Sequence, residues 1–585
     1  MTGAFGTSLA DYTGTIPRLL ARAAERDPGG IWLRTDNLTL TFEHAAGRVG
    51  AVAAELAESG IGHGDLVMLT ARTTPEYLLS WLALAALGAV TVPVNPASAP
   101  AELVGLLGQT RPKALLTDAQ LRTEVDRADA GDGRDRSDAQ MQAEVDGAEA
   151  GDGRDRGDGH ASHAAAQARV GGWAVGSVID VNRLVAGGSG QPLADLPAAL
   201  VRPDDLLVLI PTSGTTGRSK LVMQTHRAYT LAAEGFPYWM ELTAADRLMT
   251  SLPLFHINAP IYSVLGSLAC GAGLVLVPRF SASRFLDTAR RHGATEFNAI
   301  GAMLEILMRQ PERPDDADNS LRLCYAGPAP DRERQLQIER RFGFRIVVGY
   351  ALSESPYGLI WQHGQRPFGT LGSVRQHPYL GMINEARVVA PAGIDAHDEA
   401  DVGVNGGSGP AAASSGARLE AGETGELLLR NPVITPGYWG MPEETAAIKS
   451  ADGWLRTGDL VTATGDGTYT FVGRRKEVLR RRGENLSPLE VEEVLDSHPA
   501  VLESAVVGVA SDLTEEEIKA FVVPVGGADI DVSELRQYAA ERLSAFKVPR
   551  FWQVIGALPR TPTARIAKHR LPAGHQPGEY DTEST

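Results

Sequence analysis

Cysteine is nearly absent: Cys270 and Cys324 are the two in a chain of 585 residues. They are too few and too far apart for a disulfide framework or a cysteine-built metal site, and read as two small core thiols in a reducing compartment. An excess of basic residues is also absent. The net charge of −17 excludes the basic footprint that nucleic-acid binding requires. Long apolar runs are missing too. No window of about 18 apolar residues is free of charge, so no membrane insertion is expected. The most apolar stretch, "SWLALAALGAVTVPV" (Ser80 to Val94), has the length of a buried helix running into a strand. The first residues lack the basic start and apolar stretch of a signal peptide, so a cytoplasmic location is expected. There is no G-x-S-x-G elbow around the region singled out below, and hence no sign of a covalent protein intermediate.

What is present is ordinary in bulk. Hydrophobic residues make up 43% and charged ones 22%, as in globular proteins generally. The length calls for several folding units with large cores. Helical patterns alternate with short β-branched runs. Thr41 to Glu58 and "AELVGLLGQTRP" read as helices and "LVMLTAR", "KALLTD" and "LLVLIPT" as strands; "LDTARRHGATEFNAI" reads as a helix leading into a strand, and "RQLQIERRFGFRIVVGYALSE" repeats that order. That order implies βαβ units and mostly parallel sheets, with ligands beyond the carboxyl ends of the strands. After Gly473 a second pattern begins, with strands at "SAVVGVA" and "KAFVVPV" and a helix at "VSELRQYAAERL". It describes a compact α+β unit with its own core. The expected fold is therefore α/β: a large N-terminal domain over 1–473 of mostly parallel sheets flanked by helices, a hinge at 474–476, and a small α+β C-terminal domain over 477–585. Two stretches interrupt the first domain. Glu124–Arg136 ("EVDRADAGDGRDR") is duplicated as Glu144–Arg156 ("EVDGAEAGDGRDR"). This acidic, apolar-poor region reads as a disordered surface insertion over 121–165. The stretch 404–417 reads as a flexible loop.

The chemistry concentrates at "PTSGTTGRSK". Gly214 and Gly217 leave backbone N–H groups open to a ligand. Thr212, Ser213, Thr215 and Thr216 add hydroxyls, and Lys220 adds a point charge. Together they suit the oxygens of a polyphosphate. The order is not that of a Walker A loop, since Arg218 follows the second glycine. On composition alone a plain turn is the other reading.

Five further stretches accompany it. "LPLFHINA" spans Leu252–Ala259, "YAGPAP" Tyr325–Pro330 and "GYALSES" Gly349–Ser355; "TGDL" is followed by "FVGRRKE", and "LPRTPTARIAKHRL" spans Leu558–Leu571. In this order the six resemble the signatures of the adenylate-forming superfamily of acyl-CoA synthetases, peptide-synthetase adenylation domains and luciferases. "LPLFHINA" and "RRRGENLSPLEVEEVL" are most similar to carnitine/crotonobetaine-type acyl-CoA ligases. The resemblance covers nearly the whole chain outside the two interruptions.

The resemblance implies an AMP-forming ligase that uses ATP, Mg²⁺ and CoA on a small-molecule acid. Residues 212–217 and Lys220 would hold phosphates. Gly327 and Pro328 would meet adenine, on which Tyr350 would stack. Glu354, with Thr212, would hold Mg²⁺, and Ser353 stands where a threonine contacts phosphate. Asp459 would accept both ribose hydroxyls with Arg474 beside it; a loop aspartate capping a helix is its alternative. His256 would line or gate the acyl pocket, or be a satisfied core histidine. Asn298, Gly301 and the "AGPAP" turn would complete that pocket. The small C-terminal domain would be mobile about Lys476. It would bring a cation to the reacting phosphate. This chain departs from the pattern there: Ala564-Arg565 replaces Gly-Lys, so the cation is Arg565 or Lys568, with Arg565 favoured. Arg480 likewise stands where relatives have lysine. Other expectations are a different acid or acceptor on the same fold (nitrite with an aryl amine, or a carrier protein) in secondary metabolism, and a nucleotide-binding relative without turnover.

Overall fold

The structure, a computed structural model, describes residues 9–98, 100–118, 168–170, 173–175, 177–187, 201–212, 219–327, 330–361, 364–390, 418–477, 479–481, 484–510, 516–527, 530–560, 566–572 and 574–582. The duplicated acidic segment and the 404–417 stretch lie outside them.

The chain divides into two compact units, one formed by 1–46 with 202–585 and the other by 47–201. The second unit holds parallel strands in the order Val90–Pro93, Leu66–Thr70, Ala114–Thr117 and Ser177–Asp180. Val90–Pro93 and Ala114–Thr117 are buried along their whole length. Burial on both faces is why they read as unbroken apolar runs rather than alternating ones. The helix Pro75–Leu87 is set by its ends. Thr74 accepts a hydrogen bond from Tyr77 N, Pro75 occupies the first turn, and Gly88 (φ 68°) terminates it in the left-handed region.

The first unit is built on a nine-stranded sheet. Its middle is parallel: Ile31–Arg34, Gly273–Leu276, Arg247–Thr250, Glu296–Ile300, Leu323–Gly327 and Arg345–Leu352. Its edges are antiparallel, with Thr39–Thr41 on one side and Ser355–Ile360 and Ser373–Val374 on the other. The register sets Ile300 beside Gly327, and Tyr325 between Asn298 and Val347, at neighbouring carboxyl ends. Gly327 is required there. A Cβ on it would lie 2.6 Å from the carbonyl oxygen of Gly349.

The expectation of mostly parallel sheets has an exception. Glu385–Val389, Thr424–Arg430, Leu455–Ala463 and Tyr469–Arg474 form a fully antiparallel sheet. One face of it buries Val388, Leu427, Leu429 and Val461 against Leu359 and the ring of Tyr350. Beyond it, Val501–Ala510, Glu516–Pro524, Phe551–Val554 and Tyr580–Asp581 make a mixed sheet. The helices Pro488–Asp496 and Val532–Ala540 cover it, and Val491, Leu495, Ile518, Val522, Leu535 and Trp552 share one apolar core.

Candidate active site

The antiparallel hairpin Leu206–Thr212 and Lys220–Thr225 closes on the pair Thr212 and Lys220. The Thr212 hydroxyl donates to the Lys220 carbonyl at 3.3 Å. The tip it carries, including Ser213, Gly214, Thr215, Thr216 and Gly217, lies outside the described residues. The Lys220 ammonium sits 4.7 Å from the centre of the Tyr438 ring.

Tyr438 belongs to a segment the sequence did not single out. Met223 N donates to Gly437 O at 3.0 Å and Trp439 N to Leu221 O at 2.9 Å, so 437–439 runs along the hairpin. The Tyr438 hydroxyl then donates to Glu354 Oε1 at 2.8 Å. Burial, followed by that carboxylate, raises the phenol's pKa far above its ordinary value, so the proton stays on Tyr438. Two more bonds hold the turn bearing Ser353 and Glu354. Gln224 Nε2 donates to Ser353 O at 2.7 Å, and Thr435 N donates to Glu354 O at 2.7 Å. The Thr435 hydroxyl in turn reaches Met223 O at 2.6 Å. Glu354 is thus fixed relative to Lys220 at both backbone and side chain.

Asp459 is presented by a bulge. Glu426 pairs with Leu460 while Leu428 pairs with Arg456, so the strand bearing Asp459 carries extra residues at Thr457–Asp459. Bulges re-aim side chains in this way beside sites. Gly458 takes φ 72°, which a side chain would oppose. The loop is held from below: Arg456 pairs with Glu426 at 2.6 Å, and the Thr457 hydroxyl donates to Leu427 O at 2.7 Å. Asp459 ends up 1% exposed. The Tyr350 hydroxyl donates to its Oδ2 at 2.5 Å, and Arg474 Nε lies 3.1 Å from Oδ1 across the strand pair. Burial, then the neighbouring carboxylate, pushes the Tyr350 phenol well above its usual range.

One connected array therefore joins Thr212, Lys220, Tyr438, Glu354, Ser353, Tyr350, Asp459 and Arg474. His256 lies apart, half-buried in the turn after Thr250, its ring edge-on to Phe255 at 4.6 Å. Two residues on, Asn258 accepts from Asn298 Nδ2 at 2.6 Å, at the carboxyl end of the parallel strands. Lys568 is in the C-terminal sheet region, 2.8 Å from Glu492 and 3.5 Å from Glu477. Pro328 and Arg565 lie outside the described residues. So do the side chains of Lys476, in the turn Arg475–Glu477, and of Arg480, in the strand Leu479–Arg481.

Tyr438, Gln224, Thr435, Glu426 and Arg456 were not legible as site residues. Each is distant in sequence from what it holds, and a tyrosine after glycine in "TPGYWG" reads as core.

Among the described residues no group of three His, Cys, Asp or Glu side chains could cage a metal. Mg²⁺ carried by a nucleotide needs one or two carboxylates and takes its remaining ligands from phosphates and water. Glu354, held through one oxygen by Tyr438, fits that requirement.

The family model and the curated relatives that match this chain place it in the class of AMP-forming acid–thiol ligases, adenylating enzymes of the acyl-CoA synthetase type. The chain belongs to the AMP-binding enzyme family: that family's model matches residues 20–439, and the AMP-binding enzyme C-terminal domain matches 490–565. It is 28% identical over 515 residues to crotonobetaine/carnitine–CoA ligases of Salmonella paratyphi C and Salmonella typhimurium, covering 88% of this chain and 89% of each relative. Solved structures share the fold. ATP-bound MatB from Rhodopseudomonas palustris has a TM-score of 0.74 at 23% identity, over 95% of this chain and 98% of that one. The anthranilate CoA ligase AuaEII with anthranoyl-AMP has a TM-score of 0.77 at 22% identity, over 97% and 98%. No helix among the described residues is long and apolar enough to cross a membrane.

Proposed function

We propose that the protein activates a carboxylic acid with ATP, releasing pyrophosphate, and passes the acyl group to the thiol of CoA. The observation that supports this reading is the array itself, in which Tyr350 meets Asp459 and Tyr438 joins Glu354 to Lys220. Asp459 is the ribose acceptor. A carboxylate offers two oxygens to a vicinal diol, and Arg474 lies 3.1 Å from one of them. Tyr350 spends its hydroxyl on Asp459, which fixes the ring that adenine would lie against. Lys220 would meet the phosphates, with the hydroxyls and glycines that the sequence supplies at 212–217. Glu354 would hold Mg²⁺, which would supply positive charge to the phosphate oxygens. Its own position is set by Tyr438, Thr435 and the Gln224–Ser353 bond.

For the reacting phosphate the choice between Arg565 and Lys568 narrows. The Lys568 ammonium is engaged by Glu492 and Glu477, so Arg565 is the cation assigned to the first half-reaction. The names of the Salmonella relatives support CoA as acceptor. The test is pyrophosphate release across fatty, aromatic and amino acids and nitrite, each with and without CoA. Release with an acid and thioester formation with CoA is the expected result. Turnover only with nitrite and an amine would replace the acid, and turnover only with a carrier protein would replace the acceptor.

A further inference from the structure

Glu426 is 2% exposed, and its two oxygens are divided among three partners from two segments. Oε1 accepts from Gly458 N at 3.3 Å, at the centre of the bulge that presents Asp459. Oε2 lies 2.6 Å from Arg456 Nη1, on the flank of that bulge, and 3.5 Å from Arg475 Nη1. Arg456 alone would neutralise the carboxylate, so the second guanidinium needs a reason. Arg475 opens the turn Arg475–Glu477, directly after Arg474, the partner of Asp459. Successive side chains of a strand point to opposite faces. Leu427 and Leu429 share the apolar face that holds the Tyr350 ring, and Tyr350 meets Asp459. Leu428 is buried with Val389 and Trp454 on the other face, and Glu426, two residues before it, belongs to that face. Consecutive arginines thus reach one carboxylate on each side of the sheet, and the bulge is held between them.

The far side of the turn is tied as well. Glu477 lies 3.5 Å from Lys568, and Lys568 pairs at 2.8 Å with Glu492 of the helix Pro488–Asp496. The turn is therefore pinned at its first residue to the sheet bearing Asp459 and at its last to the C-terminal domain. Buried ion pairs are a poor source of stability, since apolar side chains of similar volume serve as well; what charges at fixed places add is register. We infer that Glu426 is a positioning residue for ATP recognition. It sets the Asp459 carboxylate through Gly458 and Arg456, and through Arg475 it makes that setting depend on the turn into the C-terminal domain. The inference rests on the reading of Asp459 as ribose acceptor, and it names the residue that links this acceptor to the turn.

The test is calorimetry of MgATP binding to the wild type, Glu426→Gln, Arg475→Met, the Glu426→Gln/Arg475→Met double variant and Asp459→Asn, with hydrogen exchange over 475–477 in each. Glutamine keeps an acceptor for Gly458 N but meets both guanidinium groups without a charge. Glu426→Gln is expected to raise the Kd for ATP by about tenfold, and Arg475→Met, which removes the longer contact of a partly exposed side chain, by about threefold. Steady-state kinetics should show the same rise in the KM for ATP, with the KM for the acid unchanged. Because Arg475 acts through Glu426, the double variant should bind no more weakly than Glu426→Gln alone. ATP should slow exchange at 475–477 in the wild type and not in Glu426→Gln, since coupling between two sites is reciprocal. A folded Glu426→Gln protein with wild-type ATP affinity overturns the inference, even if its melting temperature falls. Additive losses in the double variant, or a wild type in which ATP leaves exchange at 475–477 unchanged, overturn the link to the turn. Should Glu426→Gln not fold, Arg475→Met decides: wild-type affinity together with wild-type slowing of exchange overturns the inference. Wild-type ATP affinity in Asp459→Asn marks failure of the ribose reading, and this inference falls with it; a loss in Asp459→Asn without one in Glu426→Gln or Arg475→Met sinks this inference alone.

Discussion

Replacing Asp459 with asparagine changes one atom and removes one charge, and its effect on ATP can be worked from the geometry. The carboxylate is buried and already takes a hydrogen bond from Tyr350 at 2.5 Å and an ion pair from Arg474 at 3.1 Å. A ribose diol would add two hydrogen bonds to a charged acceptor, each contributing about 1.5–3 kcal/mol. Asparagine keeps one neutral acceptor, so the net loss is about 2–4 kcal/mol, or roughly a 30- to 1,000-fold rise in the Kd for ATP. The fold should suffer less. The Arg474 side chain is 44% exposed, so water solvates it when its partner goes, and the cost is about 1 kcal/mol. Isothermal calorimetry measures the first quantity and thermal melting the second. An ATP affinity equal to wild type in a folded Asp459→Asn protein would refute the ribose assignment. A collapse of melting temperature with unchanged affinity per folded molecule would recast Asp459 as structural.

Tyr438→Phe removes the hydroxyl on Glu354 and leaves the ring under Lys220; a fall in kcat of about tenfold with a raised Mg²⁺ requirement is expected, and steady-state kinetics across Mg²⁺ concentrations read it. Lys568→Met strips the cation from Glu492, whose carboxyl burial already raises above its usual range against the pull of Lys568. Loss of about 2 kcal/mol or more in the C-terminal domain is expected, read by hydrogen exchange over 477–582. Arg565→Ala should instead abolish pyrophosphate release and leave that exchange pattern alone; loss of chemistry in Lys568→Met without loss of protection would reverse the two assignments. His377 is fully buried, and burial lowers its pKa from 6.5 to about 4. Its nearest carboxylate, Glu234 at 3.8 Å, is occupied by Tyr12 and Arg22. The folded pKa is depressed, so the contribution to stability is complete above pH 6.5 and is lost as pH falls towards 4. It amounts to about 3 kcal/mol, and His377→Gln should flatten this segment of the stability–pH curve measured by denaturant titration.

Much of the fold was legible because local pattern and tertiary environment agree. The expected helix over Thr41–Glu58 is found at Phe42–Glu58, and the expected strand "LLVLIPT" at Leu206–Thr212. The helix–strand order of "RQLQIERRFGFRIVVGYAL" is found as Arg332–Phe342 followed by Arg345–Leu352. The antiparallel sheet over 385–474 was not legible. Its strands pair across long or irregular connections, and pairing partners leave no period in a single chain.

The chain alone determined which chemical groups exist and in what order: the hydroxyl–glycine stretch, Lys220, Glu354, Asp459 and the substitution of Arg565 for lysine. These are choices of residue type, and residue type is what a sequence states directly. Only the tertiary structure decided that Tyr438 holds Glu354, that Glu426 and Arg456 support the bulge bearing Asp459, and that Lys568 is committed to Glu492. Each of these is a distance between residues far apart along the chain, and such distances are set by packing, to which local sequence is blind.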